Sequence, residues 1–306
     1  MFLAWLLFLV AVPMWAWSQL AQVDAEPNGT RPAGTPGATY LLVGSDSREG
    51  MSKEEEADLG TGDAEGERTD TILLLHVPDG DGPKLLLSIP RDSFVEIPGH
   101  GQNKINAAYS LGGPDLLVET IEQATEVRVD SYLEVGFGGF VEIVDALGGI
   151  EICPTEAIDD PKAGGLQLDK GCSDVDGRQA LGYSRSRDFK LGDITRALHQ
   201  REVITAVGQK AAAWQTVVLP WRYFRINSAA ADTVRIGEDV GPIDVAKFAW
   251  AMARPGSDAK RCVVPYTSLG QQTSAGSAVI WDDERAGAIF TAIREDDTGS
   301  ISCAPQ

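Results

Sequence analysis

Three apolar runs of strand length constrain this chain more than any other feature: TYLLV at 39–43, TILLLHV at 71–77 and KLLLSI at 84–89. Short apolar runs bounded by turn signals read as buried strands. The spacer Pro78-Asp79-Gly80-Asp81-Gly82-Pro83 predicts that the second and third runs form a hairpin. Two of the runs end in polar clusters, Ser45-Asp46-Ser47-Arg48 and Pro90-Arg91-Asp92. An α/β sheet gathers its ligand-binding groups in this way, at the ends of its strands.

Further along, helical periodicity over 106–124, 138–147 and 194–214 alternates with strand signals near 132–135 and 149–153. Two more amphipathic helices, at 243–252 and 283–293, flank a strand at 262–265. The expected fold is α/β: one mixed central β-sheet flanked by helices on both faces, forming a single domain over 38–298 with a tail at 299–306. Residues 49–67 hold eight acidic side chains and one lysine and read as a solvated loop.

Residues 1–20 carry no charged side chain, and at 1.5 Å per residue they are long enough to cross roughly 30 Å of hydrocarbon. The expectation is a single-pass membrane anchor rather than a cleaved signal peptide, because the run exceeds a usual signal core and lacks a clear A-x-A site. Residues 21–37, rich in Pro, Gly and Thr, read as a flexible linker. Four cysteines without C-x-x-C spacing fit two disulfides in an oxidising, extracytoplasmic space. Three connectivities are open, and proximity in sequence favours Cys153–Cys172 and Cys262–Cys303.

A net charge of −19 argues against nucleic acid as a partner, because phosphate backbones need a basic surface. Any bound anion must be held by a local basic cluster. The segment 177–201 inverts the balance, with five arginines and Lys190 against two acidic residues. Guanidinium groups match phosphate oxygens in pairs, so Arg185, Arg187 and Arg196 are candidates for clamping a diphosphate. Arg185 and Arg187, two apart, would point the same way from an extended strand, and Arg196 and Gln200, four apart, would share a helical face. His76 sits inside an apolar run and reads as a packed residue, and His100 reads as an exposed turn residue.

Here the chain resembles the LytR-CpsA-Psr family, through LLVGSDSR at 41–48, RTDT at 68–71, SIPRD at 88–92, KINAAYSLGG at 104–113 and YSRSRDFKLGDITRALHQ at 183–200. The resemblance implies that Asp46 and Asp70 bind Mg2+, or Mn2+ in its place. It implies that Arg68, Arg91, Arg185, Arg187, Arg196 and Gln200 face the diphosphate, with Asp46, Arg91, Arg185 and Arg187 the catalytic set. Lys104 and Asn106 of the K-I-N motif would border the site, although Asn106 is equally explained as a helix cap. One departure stands out, since the family's R-x-x-R-Q is Arg196-Ala-Leu-His199-Gln200 here.

The implied activity is a phosphotransferase that moves a glycopolymer from a polyprenyl diphosphate carrier to a peptidoglycan sugar hydroxyl, with pyrophosphatase activity as a side reaction. Such catalysis works by positioning and charge neutralisation, which arginines and a metal supply. Asp46, and less readily Asp193, are the candidates for taking the hydroxyl proton. The competing reading is a non-catalytic polyprenyl-phosphate-binding protein or a scaffold of envelope assembly.

Overall fold

A computed structural model describes residues 2–46, 69–186, 193–253 and 259–303. Its centre is a seven-stranded sheet in the order β1-β12-β7-β2-β3-β4-β13. These strands are β1 (Ala21–Val23), β2 (Ala38–Ser45), β3 (Thr69–Val77), β4 (Leu85–Ile89), β7 (Ser131–Gly136), β12 (Val234–Gly237) and β13 (Lys260–Val263). The expected hairpin is the antiparallel β3–β4 pair, and β2 is antiparallel to β3 but parallel to β7.

Because successive side chains alternate across a strand, the three apolar runs feed two cores. On one face Leu41, Val43, Ile72 and Leu74 pack with α2 (Asn106–Thr125) and α9 (Asp283–Arg294). On the other, Tyr40, Leu73, Leu75 and Leu133 meet α8 (Pro242–Ala253), with the Tyr40 and Phe248 rings 5.5 Å apart. Helix α2 is kinked where Gly113 takes φ +83° ahead of Pro114, a conformation that side chains disfavour.

A third core sits beside the sheet. It packs α3 (Phe137–Ala146), α4 (Gly177–Arg185) and α5 (Asp193–Ala212) with the ribbons β8–β11 (Ile150–Ile152, Ser173–Val175) and β9–β10 (Ile158–Asp160, Leu166–Leu168). Gly177 lets α4 approach α3, since a Cβ there would meet the Val141 carbonyl oxygen at 2.4 Å. Two further hairpins, β5–β6 (Phe94–Ile97, Gly101–Lys104) and β14–β15 (Tyr266–Thr273, Gly276–Trp281), complete the strands.

The N-terminal region is helical where an anchor was expected. Residues Phe2–Gln19 form helix α1, which at 1.5 Å per residue is only about 27 Å long and has Ser18 and Gln19 at its end. Among the described residues no helix is long and apolar enough to cross a membrane. Helix α1 packs on α7 (Pro220–Thr233), which follows the short α6 (Trp214–Val218). Tyr223 Oη donates to the Leu9 carbonyl at 2.9 Å, and Trp17 Nε1 donates to that of Val240 at 3.3 Å.

Parts of the expected linker belong to the fold. Residues 21–23 are an edge strand paired with β12, and Arg31 forks onto the buried Glu122 at 2.7–3.2 Å while donating to the Val129 carbonyl. At the other end, Ile301 is buried and Cys303 is bridged, so the start of the tail is part of the domain. Both disulfides, Cys153–Cys172 and Cys262–Cys303, are formed. The acidic stretch 49–67 lies outside the described residues.

A candidate anion site at one edge of the sheet

Strand direction places the predicted residues together. Strands β2, β4, β7 and β13 run one way and β1, β3 and β12 the other. The C-terminal ends of the first group therefore share an edge with the N-terminal ends of the second. Asp46 follows β2, Arg91 follows β4 and Asp70 opens β3, so all three stand on that edge.

Charges alternate along it. Arg91 Nη1 is ion-paired with Asp70 Oδ1, Arg91 Nε lies 3.4 Å from Asp92, and Asp92 takes Lys104 Nζ at 2.9 Å. Beside this chain opens a cavity of about 620 Å3 lined by Asp70, Arg185 and Gln200, together with Phe137, Asp159, Asp160 and Lys162. The Arg185 guanidinium lies 4.9 Å from the centre of the Phe137 ring, an arrangement that steadies a cation without using its hydrogen-bond donors. Ser186, fully buried, donates to Asp160 at 2.8 Å and so ties the end of α4 to β9.

Arg185 does not sit on an extended strand, as its spacing from Arg187 had suggested. It occupies the last turn of α4, a helix started by a capping box in which the Asp176 carboxylate accepts from Gln179 N. Ala180, Leu181 and Tyr183 bury the inner face of that helix, and this burial overrides the polar look of the sequence. Arg68 and Arg187 lie outside the described residues, as do the side chains of Asp193 and Arg196, although both of the latter fall within α5.

His199 is turned away from the cavity into the third core. It is 7% exposed, its ring stacks on Tyr183 at 3.9 Å, and Nδ1 lies 3.1 Å from the Tyr183 carbonyl. Burial pushes its pKa below the ordinary 6.5, so it is neutral at pH 7. The Tyr183 hydroxyl, its own pKa raised by burial, donates to Glu202 at 2.7 Å.

His76 is packed as expected, between Thr39 and Asp296 at 2.9 Å each, and His100 is exposed in the β5–β6 turn. Asn106 is not a side-chain cap, because the cap position of α2 is Ile105. The residues missed from sequence are Lys162, Asp160 and Phe137. The signal for the first was a lone lysine beside an acidic pair in the turn Asp159-Asp160-Pro161-Lys162.

A larger cavity of about 1100 Å3 lies on the same edge at the ends of β7 and β12, bordered by Ser45, Gly136, Glu134, Arg235, Phe224 and Arg225. Glu134, buried at its wall, accepts hydrogen bonds from Tyr109 at 2.9 Å and Tyr132 at 2.7 Å. Among the described residues, the converging group with metal-ligand atoms is Glu151, Cys153 and Cys172, whose two sulfurs are joined in a disulfide.

Comparison with known proteins gives this edge its context. The "Probable cell wall biosynthesis protein LcpB" of Corynebacterium glutamicum is 44% identical over 290 residues, covering 94% of this chain and 68% of that protein. The "Polyisoprenyl-teichoic acid--peptidoglycan teichoic acid transferase TagU" of Oceanobacillus iheyensis is 38% identical over 58% of this chain and 52% of its own length. The chain thus spans two thirds of the first relative and about half of the second. Among solved structures, the "LytR-Csp2A-Psr enzyme from Actinomyces oris" has the same fold, with TM-score 0.69 at 21% identity over 90% of this chain and 96% of that one. The description "LytR_cpsA_psr family" matches residues 19–271, all seven strands of the central sheet included, and the chain belongs to the LytR-CpsA-Psr family.

Proposed function

We propose that this chain is a phosphotransferase that moves a glycopolymer from a polyprenyl diphosphate carrier to a peptidoglycan sugar hydroxyl. The observation that carries this reading is the cavity of about 620 Å3 in which Arg185, Lys162 and Gln200 stand with the carboxylates of Asp70, Asp159 and Asp160, an arrangement that offers both phosphate-gripping donors and cation ligands. In the reaction, the acceptor hydroxyl gives up its proton, with Asp46 the candidate to take it, its oxygen bonds to the sugar-proximal phosphorus, and the bond from that phosphorus to the bridging oxygen breaks so that polyprenyl phosphate leaves. Negative charge on the phosphate oxygens is the main obstacle, and fixed guanidinium groups meet it without covalent chemistry. Arg185, held over Phe137, is placed to grip the diphosphate, and Arg91 is held at the edge by Asp70 and Asp92. Arg68, Arg187 and Arg196 join this set on the sequence resemblance alone.

Asp46 and Asp70 would hold Mg2+, or Mn2+ in its place. The donors fit such an ion in kind, being hard carboxylate oxygens from neighbouring strands. Two carboxylates suffice for Mg2+, which keeps waters and takes phosphate oxygens as further ligands. Bound there, it would add positive charge beside the non-bridging oxygens. The relatives named for cell wall biosynthesis and for teichoic acid transfer to peptidoglycan support polymer transfer. The disulfides support an extracytoplasmic domain, which we place at the cell membrane through α1.

Purified full-length protein, a polyprenyl diphosphate-linked oligosaccharide, a peptidoglycan oligomer and Mg2+ should yield the phosphodiester-linked product. Arg185→Ala and Asp70→Asn should each lower turnover on the order of a hundredfold, with melting temperatures within a few degrees of wild type. Lipid binding without transfer or diphosphate cleavage would replace this reading with that of a carrier-binding scaffold.

A further inference from the structure

Large hydrophobic side chains are not scattered over this surface. Of the fifteen exposed ones among the described residues, six lie on α1, four on α6 and α7, and two on α8, leaving three elsewhere. The patches on α1 and α7 are continuous, because Trp15 and Phe224 stack across the helix pair at 5.4 Å while remaining 40% and 46% exposed. An apolar surface of this extent is not left to water without a reason.

Charge identifies what covers it. Residues 203–231 contain no acidic side chain and three basic ones, Lys210, Arg222 and Arg225, in a chain of net charge −19. On α7, Trp221, Phe224 and Arg225 share a face by their i, i+3, i+4 spacing, with Arg222 adjoining, and all four are exposed. Tyr223 turns the other way and fastens α7 to α1. Tryptophan with arginine on the rim of an apolar helix face suits the boundary between acyl chains and phosphate headgroups.

We propose that α6 and α7 lie in the surface of a bilayer containing anionic phospholipid, with Trp221 and Phe224 in the acyl boundary and Arg222 and Arg225 on lipid phosphates. This membrane contact is additional to α1 and does not depend on the transfer reaction. It also gives the larger cavity a position, since Phe224 and Arg225 border it on one side and Ser45 on another.

The test is amide hydrogen exchange on the full chain in lipid nanodiscs. In discs with one third phosphatidylglycerol, residues 214–226 should exchange about tenfold more slowly than in discs of phosphatidylcholine alone. Arg222→Gln with Arg225→Gln should abolish that difference and weaken binding to phosphatidylglycerol vesicles on the order of twentyfold. Trp221→Ser with Phe224→Ser should remove the protection in either lipid, whereas Leu269→Ser, on the β14–β15 hairpin, should leave it intact. Because Arg222 and Arg225 are exposed, the glutamine variant should melt like wild type. Protection indifferent to phosphatidylglycerol overturns the proposal. So does protection that grows with protein concentration in the absence of lipid, which assigns the face to a second copy of the chain.

Discussion

Restoring the family's arginine at position 199 should harm this protein. His199 is 7% exposed, stacked on Tyr183 and within 3.1 Å of the Tyr183 carbonyl, so His199→Arg would push a longer, permanently charged group into the core between α4 and α5. Losing the ring stack costs about 1 kcal/mol. Overpacking and a buried charge with incomplete partners add about 2 kcal/mol or more, the gain from Glu202 nearby being offset because that carboxylate already accepts from Tyr183 and from Cys153 N. A total of roughly 3 kcal/mol would lower the melting temperature by about 6–12 °C in a domain of this size. Transfer activity at low temperature should stay level or fall, since α4 carries Arg185. Differential scanning fluorimetry paired with single-turnover transfer assays would measure both. A variant that melts like wild type and turns over faster would refute the reasoning, because it would mean that position 199 reaches substrate.

The same histidine gives stability a pH dependence. With its folded pKa below 6.5, the unfolded chain binds more protons just under that pH, so stability is intact above 6.5 and falls as pH drops below it. The slope should be at most about 1.4 kcal/mol per pH unit, and His199→Phe should flatten it in urea titrations between pH 5 and 7. Arg31→Ala strands the carboxylate of the buried Glu122 and should cost about 3–5 kcal/mol; an unchanged denaturation midpoint would mean that residues 24–37 are not held by the domain. Replacing Cys262 and Cys303 together by serine opens a loop of 41 residues and should cost about 4 kcal/mol by chain entropy, read by the same titration.

The parts of the fold legible in the sequence were those specified by local pattern. β2, β3 and β4 are apolar runs with the turn Pro78-Asp79-Gly80-Asp81-Gly82-Pro83 between the last two, and α2, α3, α8 and α9 carry their apolar residues at helical spacing. Asp46 and Arg91 could be placed together because each follows an apolar run, whereas Asp70 came from the family resemblance. What local pattern could not carry was long-range. Lys162 and Asp160 reach the cavity from the β9–β10 ribbon, which packs against α4 through Leu166 and Ala180. Helix α7 was missed because tryptophan, phenylalanine and arginine at its exposed positions blur the helical period. The inward turn of His199 depends on Tyr183, sixteen residues earlier, and the motif comparison marked the substitution without saying which way the ring faces.

A single residue, Leu20, separates helix α1 from strand β1, and β1 hydrogen-bonds directly to β12. The joint has no slack, so helix and sheet behave as one lever rather than as a float on a line. Whatever α1 rests against therefore sets the height and tilt of the sheet edge that carries Asp46, Asp70 and Arg91. On the proposed function, substrates would then be met at one stand-off distance from whatever holds α1. Lengthening the joint by a few flexible residues at Leu20 would turn that fixed ruler into a variable one.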